Sequence, residues 1–186
     1  MKKKILAATL AAVLLVGVGV GGTLAWLTAT SETVTNTFTV GDINITLAET
    51  TEKNFKIVPG GEADKDPTVT VKSGSEKCYV YVSIENSVVL NGVAVAVPNI
   101  DTSKWEAVGT SGNKTVYRYA EIVDAASADV EVPVFTKVTY SDDISKGDIT
   151  TLASKTIVIN SFAHQSDNID NVSVADTAAK THFGVA

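Results

Sequence analysis

The sequence predicts an all-β fold, a jelly-roll-like β-sandwich with one short C-terminal helix, preceded by an N-terminal signal peptide, and three observations lead there. Past the first 25 residues, Val, Ile, Thr and Tyr alternate with polar residues at the period of two expected of strands. Turn chemistry recurs along the chain, as at Pro59-Gly60-Gly61 and Asn91-Gly92. Hydrophobic residues make up 45% of the 186 positions, enough for a packed core and too many for a disordered chain. That length suits one domain.

The first element is an export signal. Lys2, Lys3 and Lys4 form a positive n-region, and an apolar or small-residue stretch runs from Ile5 to Leu27. Thr23 and Ala25 are the small residues that a signal peptidase needs at −3 and −1, so residues 1–25 read as the signal peptide and Trp26 as the mature N-terminus. Cleavage after Ala29 is the alternative. The apolar run is also long enough for a retained anchor, but glycines at 17, 19, 21 and 22 make a weak spanning helix and a good extended cleavage segment. No Cys follows the apolar run and no hydrophobic tail with a basic end closes the sequence, so neither a lipoprotein anchor nor wall sorting by that route is expected. The expected location is outside the cell, in the extracellular matrix or at the cell surface, with no membrane contact once processed.

Residues 26–40 form a leading strand. Alternation puts Val34, Asn36, Phe38 and Val40 on one face, and after Gly41-Asp42 the phase slips so that Ile43, Ile45 and Leu47 become the apolar set. A one-residue slip at a glycine marks a bulge or a break between two strands. Residues 26–40 therefore read as a donor-type strand, separate from a sandwich domain over 41–186.

Within that domain the clearest strand is Cys78–Ile84, with Cys78, Val80, Val82 and Ile84 toward the core and Tyr79 and Tyr81 on the other face. The run Thr68–Lys72 precedes it, and Ser73-Gly74-Ser75 suggests a hairpin between the two. Further strands are predicted at Phe55–Val58, Val93–Val97, Val116–Ile122, Val134–Tyr140 and Thr156–Phe162, the last apolar on both faces and so expected at the sheet centre. Pro98 and Pro133 belong at strand ends or on an edge, since neither can donate to a ladder. Val174–His182 has helical spacing, with Ala175, Ala178, Ala179 and His182 on one stripe.

The junction Gly22-Thr23-Leu24-Ala25-Trp26-Leu27-Thr28, followed by Thr35-Asn36-Thr37-Phe38-Thr39-Val40-Gly41, resembles the TasA/camelysin family. These are exported proteins of Gram-positive bacteria processed by the SipW type of signal peptidase. Val58-Pro59-Gly60, Lys65–Val69, Cys78-Tyr79-Val80, Trp105, Tyr117-Arg118-Tyr119 and Ile157–Asp167 are similar to its clostridial branch. The resemblance implies a secreted jelly-roll subunit that self-associates into biofilm-matrix filaments, alone or with related matrix subunits. In that assembly the mature N-terminal strand of one copy completes the sheet of the next, with Val34, Phe38 and Val40 as the polymerisation residues. The residues argue the same way: sandwich edges invite strand addition, and a head-to-tail contact builds filaments. The chain lacks the lysine-rich tail of longer fibre formers, which keeps a spore-coat component or a monomeric surface adhesin as alternatives.

Composition narrows the partners further. The net charge is −6, and losing Lys2, Lys3 and Lys4 leaves about −9, which disfavours nucleic acid and anionic membranes. Cys78 is the one cysteine, so no internal disulfide forms.

Because camelysins carry a metallopeptidase label, an enzyme is the rival class. The two histidines, His164 and His182, belong to no H-E-x-x-H motif, and a catalytic zinc site ordinarily uses three protein ligands. Reaching three would need both histidines plus a carboxylate such as Asp167, so ordinary surface or capping roles are expected. Cys78 faces the core without a basic neighbour and reads as a small hydrophobe. Asp167-Asn168-Ile169-Asp170-Asn171 and Asp142-Asp143 with Asp148 lack calcium-loop spacing and read as solvated turns. The outward Tyr79 and Tyr81 suit either packing under a second layer or a recognition strip, the former preferred. No catalytic residue, metal site or cofactor is expected.

Overall fold

The computed structural model of the chain describes residues 42–51 and 56–185. The expected signal peptide with Thr23, Ala25 and Trp26, the expected leading strand with Val34, Phe38 and Val40, and Phe55 lie outside the described residues.

A four-stranded sheet is the frame. Its strand order is β12 (Ile157–Gln165), β4 (Cys78–Asn86), β9 (Lys114–Tyr119) and β8 (Trp105–Ser111). Two three-stranded sheets face it. One has the order β1 (Ile45–Ala48), β3 (Thr68–Val71), β10 (Val130–Pro133), and the other β2 (Glu62–Asp64), β11 (Lys137–Tyr140), β7 (Ala96–Pro98). A small hairpin pairs β5 (Val89–Leu90) with β6 (Val93–Ala94) through Asn91-Gly92, both at positive φ, 50° and 81°, as a tight two-residue turn requires.

One core joins the layers. Val69 and Val71 of β3, Val132 of β10 and Val138 of β11 meet Cys78, Val80, Val82 and Ile84 of β4 and Trp105 of β8. The alternation in β4 thus sorts its side chains as the sequence indicates, and Ile43, Ile45 and Leu47 pack against the same core. Pro98 and Pro133 each close a strand.

The other face of β4 is covered by helix α2 (Val172–Phe183). Asn171 caps it by accepting from the Ser173 N–H at 2.9 Å, and Gly184 at φ 69° ends it. The helix buries Ala175, Ala179 and Phe183. It starts two residues before the sequence stripe, and His182 is exposed while Phe183 takes the inner place.

Several expectations are corrected. Thr68–Val71 and Cys78–Asn86 are not a hairpin: β3 pairs with β1 and β10, while β4 pairs with β12 and β9. The linker crosses from one layer to the other, and Val69 and Val71 are fully buried facing β4 across the core. Lys56–Val58 is irregular, and Val58 is exposed. Val93–Val97 is broken into β6 and β7. The strand drawn from Val116 to Ile122 begins earlier and stops at Tyr119, and that drawn from Val134 begins at Lys137. A second helix, α1 (Lys146–Leu152), was missed because Gly147 and three β-branched residues give it poor propensity. Its start is fixed by Ser145, whose N–H and Oγ both donate to Asp148 Oδ2, and its end by burial of Leu152.

The largest correction concerns Ile157–Gln165. Among the described residues it lies at the edge of its sheet, pairing with β4 on one side, and Val158 is 45% exposed. Its second half, with Ser161, His164 and Gln165, carried the edge-like polarity that the apolar start concealed.

Candidate functional site: an open edge of the sandwich

The open edge is built by β12 and β1, one from each layer. Among the described residues neither has a neighbour on its second side. The Ser87 N–H donates to Thr156 O and the Ser166 N–H to Lys77 O, each at 2.9 Å. With the register Ile157↔Asn86 to Gln165↔Cys78, the even residues of β12 exchange hydrogen bonds with β4. Ile157, Ile159, Ser161, Ala163 and Gln165 therefore turn their N–H and C=O groups to the edge. For β1 the Lys72 N–H donates to Asn44 O at 2.8 Å, which leaves Ile45 and Leu47 as the outward-bonding residues.

The apolar side chains among these residues point into the sandwich. Ile45, Leu47, Ile157, Ile159 and Ala163 are only partly buried, packed against the core from the open side. Leu47 and Ile159 line a cavity of about 470 Å³ together with Pro67 and Ile157, and a second of about 450 Å³ beside Ser161 and Phe183. Ile157 also borders a larger cavity of about 650 Å³ whose walls include Ile57, Ile149 and Leu152 and whose rim carries Lys56, Lys65 and Lys155. Shared residues make these spaces one groove along β12, with Lys56, Lys65, Lys155 and Glu49 at its Ile157 end and polar Ser83, Lys114, Asn160 and His182 at its Ser161 end. Lys65 in that rim is paired with Glu49 at 2.9 Å.

The margin of the groove is held by Asp66. Its carboxylate accepts the Thr50 and Thr51 N–H groups at 2.9 and 3.0 Å, the Thr51 hydroxyl at 3.0 Å and the Thr50 hydroxyl. Those bonds, the Thr50 hydroxyl first, lower its pKa to about 2.

The two histidines come to one aromatic ring, which sequence spacing did not indicate. His182 stacks on Phe162 with centroids 4.6 Å apart, and His164 lies 6.4 Å from the same ring. Among the described residues no group of three His, Cys, Asp or Glu side chains is placed to hold a metal ion. Asp167 is in an exposed turn, and its carboxylate faces Ser166. Cys78 is fully buried, and burial pushes its thiol up to about 11, away from thiolate chemistry. Asp148 and Asn171 serve as helix caps.

Tyr81 is no recognition residue either. It is fully buried under α2 and donates its hydroxyl to Asp176 Oδ1 at 2.9 Å, and burial first, then this carboxylate, raises its pKa. Arg118 grips the same carboxylate through two bonds of 2.7 and 2.8 Å and also reaches Glu106. This network fastens the helix to the sheet, and its members, 95 and 58 positions apart in the chain, gave no sequence signal.

Residues 1–88, which reach through β4, match the family model described as Camelysin metallo-endopeptidase. The match spans 88 of the 186 residues, so the N-terminal part of the chain is similar to the camelysin family. No curated protein and no solved structure gives a significant match. Camelysins are a family of surface or secreted proteins. Among the described residues, no helix is long and apolar enough to cross a membrane.

Proposed function

We propose that this protein, similar to camelysins over residues 1–88, is a secreted structural subunit of an extracellular, biofilm-matrix fibre, assembled by donor-strand addition. The observation that carries the reading is the pair of unpaired edges, β1 and β12, with half-buried Leu47, Ile157 and Ile159 between them. An edge that shows both free backbone groups and apolar side chains is what an added strand satisfies, the ladder giving direction and the side chains giving affinity. Residues 26–40 of a neighbouring copy are the occupant, with Val34, Phe38 and Val40 turned into the groove. Each such burial contributes roughly 1.5–3 kcal/mol before ordering costs.

The test is electron microscopy of the purified mature protein against a variant lacking residues 26–40. The truncated protein should fold and fail to extend filaments, as should Phe38→Asp, which forces a charge into a dry groove, whereas Thr37→Asp should do less. Fibres from the truncated protein, or its failure to fold, would overturn the donor-strand reading.

A second reading, a surface metallopeptidase, is favoured by the description of the matched family. On the subunit reading, His164→Ala with His182→Ala leaves any casein cleavage in the sample unchanged. Cleavage that disappears with those substitutions and with chelation establishes the peptidase instead.

A further inference from the structure

We infer that the cavity between α1 and the end of β11 binds a fatty acid, an apolar chain ending in a carboxylate. Lys56 and Lys155 at its rim and the Tyr140 hydroxyl in its wall are the partners of that carboxylate. The inference does not rest on the assembly reading.

The cavity measures about 650 Å³, within the range of roughly 300–1,000 Å³ usual for small-molecule sites. Val88, Ala96, Val138 and Leu152 are buried in its wall, and Ile57 and Ile149 stay half-buried beside them. Ala96 stands opposite Tyr140 in the β7–β11 register, and a side chain this small leaves volume unfilled. The aliphatic lining gains by excluding water, so an apolar body suits the space.

Polar groups interrupt that lining in a way the fold itself does not use. Tyr140 is 7% exposed, yet its hydroxyl makes no hydrogen bond among the described residues. Tyr81, buried to a similar depth, donates to Asp176 at 2.9 Å. Burial raises the Tyr140 pKa, so the hydroxyl keeps its proton and remains a donor. A buried donor without an acceptor costs free energy that a ligand oxygen removes. At the rim, Lys56 and Lys155 are exposed and make no ion pair among the described residues. Lys65 is different, since Glu49 already holds it at 2.9 Å. In a chain of net charge −6, two such ammonium groups over an apolar cavity reverse the local sign.

A carboxylate matches this donor set. It is acceptor-only, takes several donors at once, and bonds ammonium and phenol groups with charge assistance. A cationic head would be repelled by the lysines. A sugar would leave hydroxyl groups facing aliphatic walls, at the cost of their hydration.

The experiment is calorimetric titration of the purified mature protein with decanoate, with decanol and decyltrimethylammonium as head-group controls. Decanoate should saturate at one per chain, decanol should bind roughly fivefold more weakly, and the ammonium compound should not bind. Lys56→Ala with Lys155→Ala should bring decanoate to the decanol level and abolish its dependence on salt. Tyr140→Phe keeps the ring and should weaken decanoate roughly three- to tenfold. Ala153→Trp, at an exposed rim position just past α1, should block uptake and leave the thermal midpoint unchanged. No saturable uptake, equal affinity for decanoate and decanol, or uptake that Ala153→Trp leaves intact overturns the inference. Uptake seen only in a variant lacking residues 26–40 overturns it too, because the cavity then belongs to that segment. Unchanged affinity in Tyr140→Phe or in the double lysine variant overturns the placement of the carboxylate.

Discussion

The two seams of the sandwich are finished in opposite ways. Between β8 and β10, Trp105 is fully buried and its indole N–H donates to Pro133 O at 3.0 Å, joining the layers across the core. Tyr119 packs on the same ring at 5.4 Å. Between β12 and β1 no side chain of that size is present among the described residues, and Leu47 and Ile159 stay half-buried beside cavities. Both seams join a four-stranded sheet to a three-stranded one, so topology does not explain the contrast. The difference teaches that a sandwich can be held through one seam while the other stays loosely filled among the described residues, the seam that the proposed assembly would use. A small all-β domain without a disulfide needs at least one seam that excludes water by itself.

Breaking the closed seam should have the largest effect. Trp105→Ala removes the largest fully buried side chain and orphans Pro133 O. It should destabilise the monomer by about 3–5 kcal/mol in a denaturant titration. A loss below about 1 kcal/mol would mean that the seam is not what holds the layers.

Next comes the helix latch on the outer face. Asp176→Ala leaves the buried Tyr81 hydroxyl and the Arg118 guanidinium without their shared partner, so a loss of about 1–3 kcal/mol is expected. Hydrogen exchange should quicken in α2 and stay slow in β4. Equal exchange in both would show that the helix and sheet unfold as one unit.

The open seam should behave differently from either. Leu47→Ala trims a side chain that the monomer buries only in part, so a stability loss of about 1–2 kcal/mol is expected, together with a marked fall in filament yield. If Leu47→Ala costs the monomer as much as Trp105→Ala, the seam is already closed in the subunit.

The smallest effect is on pH. Asp66 has its pKa lowered to about 2 in the folded protein, against 3.8 for the free group. A depressed carboxyl contributes stability that is whole above the unfolded value and is lost as pH falls through the folded one. The margin of the open seam at Thr50 and Thr51 should therefore loosen between about pH 4 and pH 2, seen as faster amide exchange there. Asp66→Asn should remove most of that pH dependence, and a persistent effect would assign it to other carboxylates, Asp129 or Asp124 among them.

Much of this protein was legible without tertiary structure. The period of two in Cys78–Ile84 determined both the strand and its inward face, because side-chain alternation is a local property of extended backbone. Asn91-Gly92 and Pro59-Gly60-Gly61 determined turns, since their φ requirements are intrinsic to those residues. The phase change at Gly41 determined that Ile45 and Leu47, and not their neighbours, face the core. Partnership was a tertiary decision. Thr68–Val71 and Cys78–Asn86 look like a hairpin over their short linker, yet they sit in opposite layers, because burial across a core rewards distant strands that local pattern cannot rank. Ile157–Ile159 looks central by composition and lies at an edge among the described residues, because apolar composition does not say on how many sides a strand is paired. The Tyr81–Asp176–Arg118 network and the meeting of His164 and His182 at Phe162 also belong to the tertiary structure. Each joins positions whose spacing along the chain carries no physical constraint until the strands are paired.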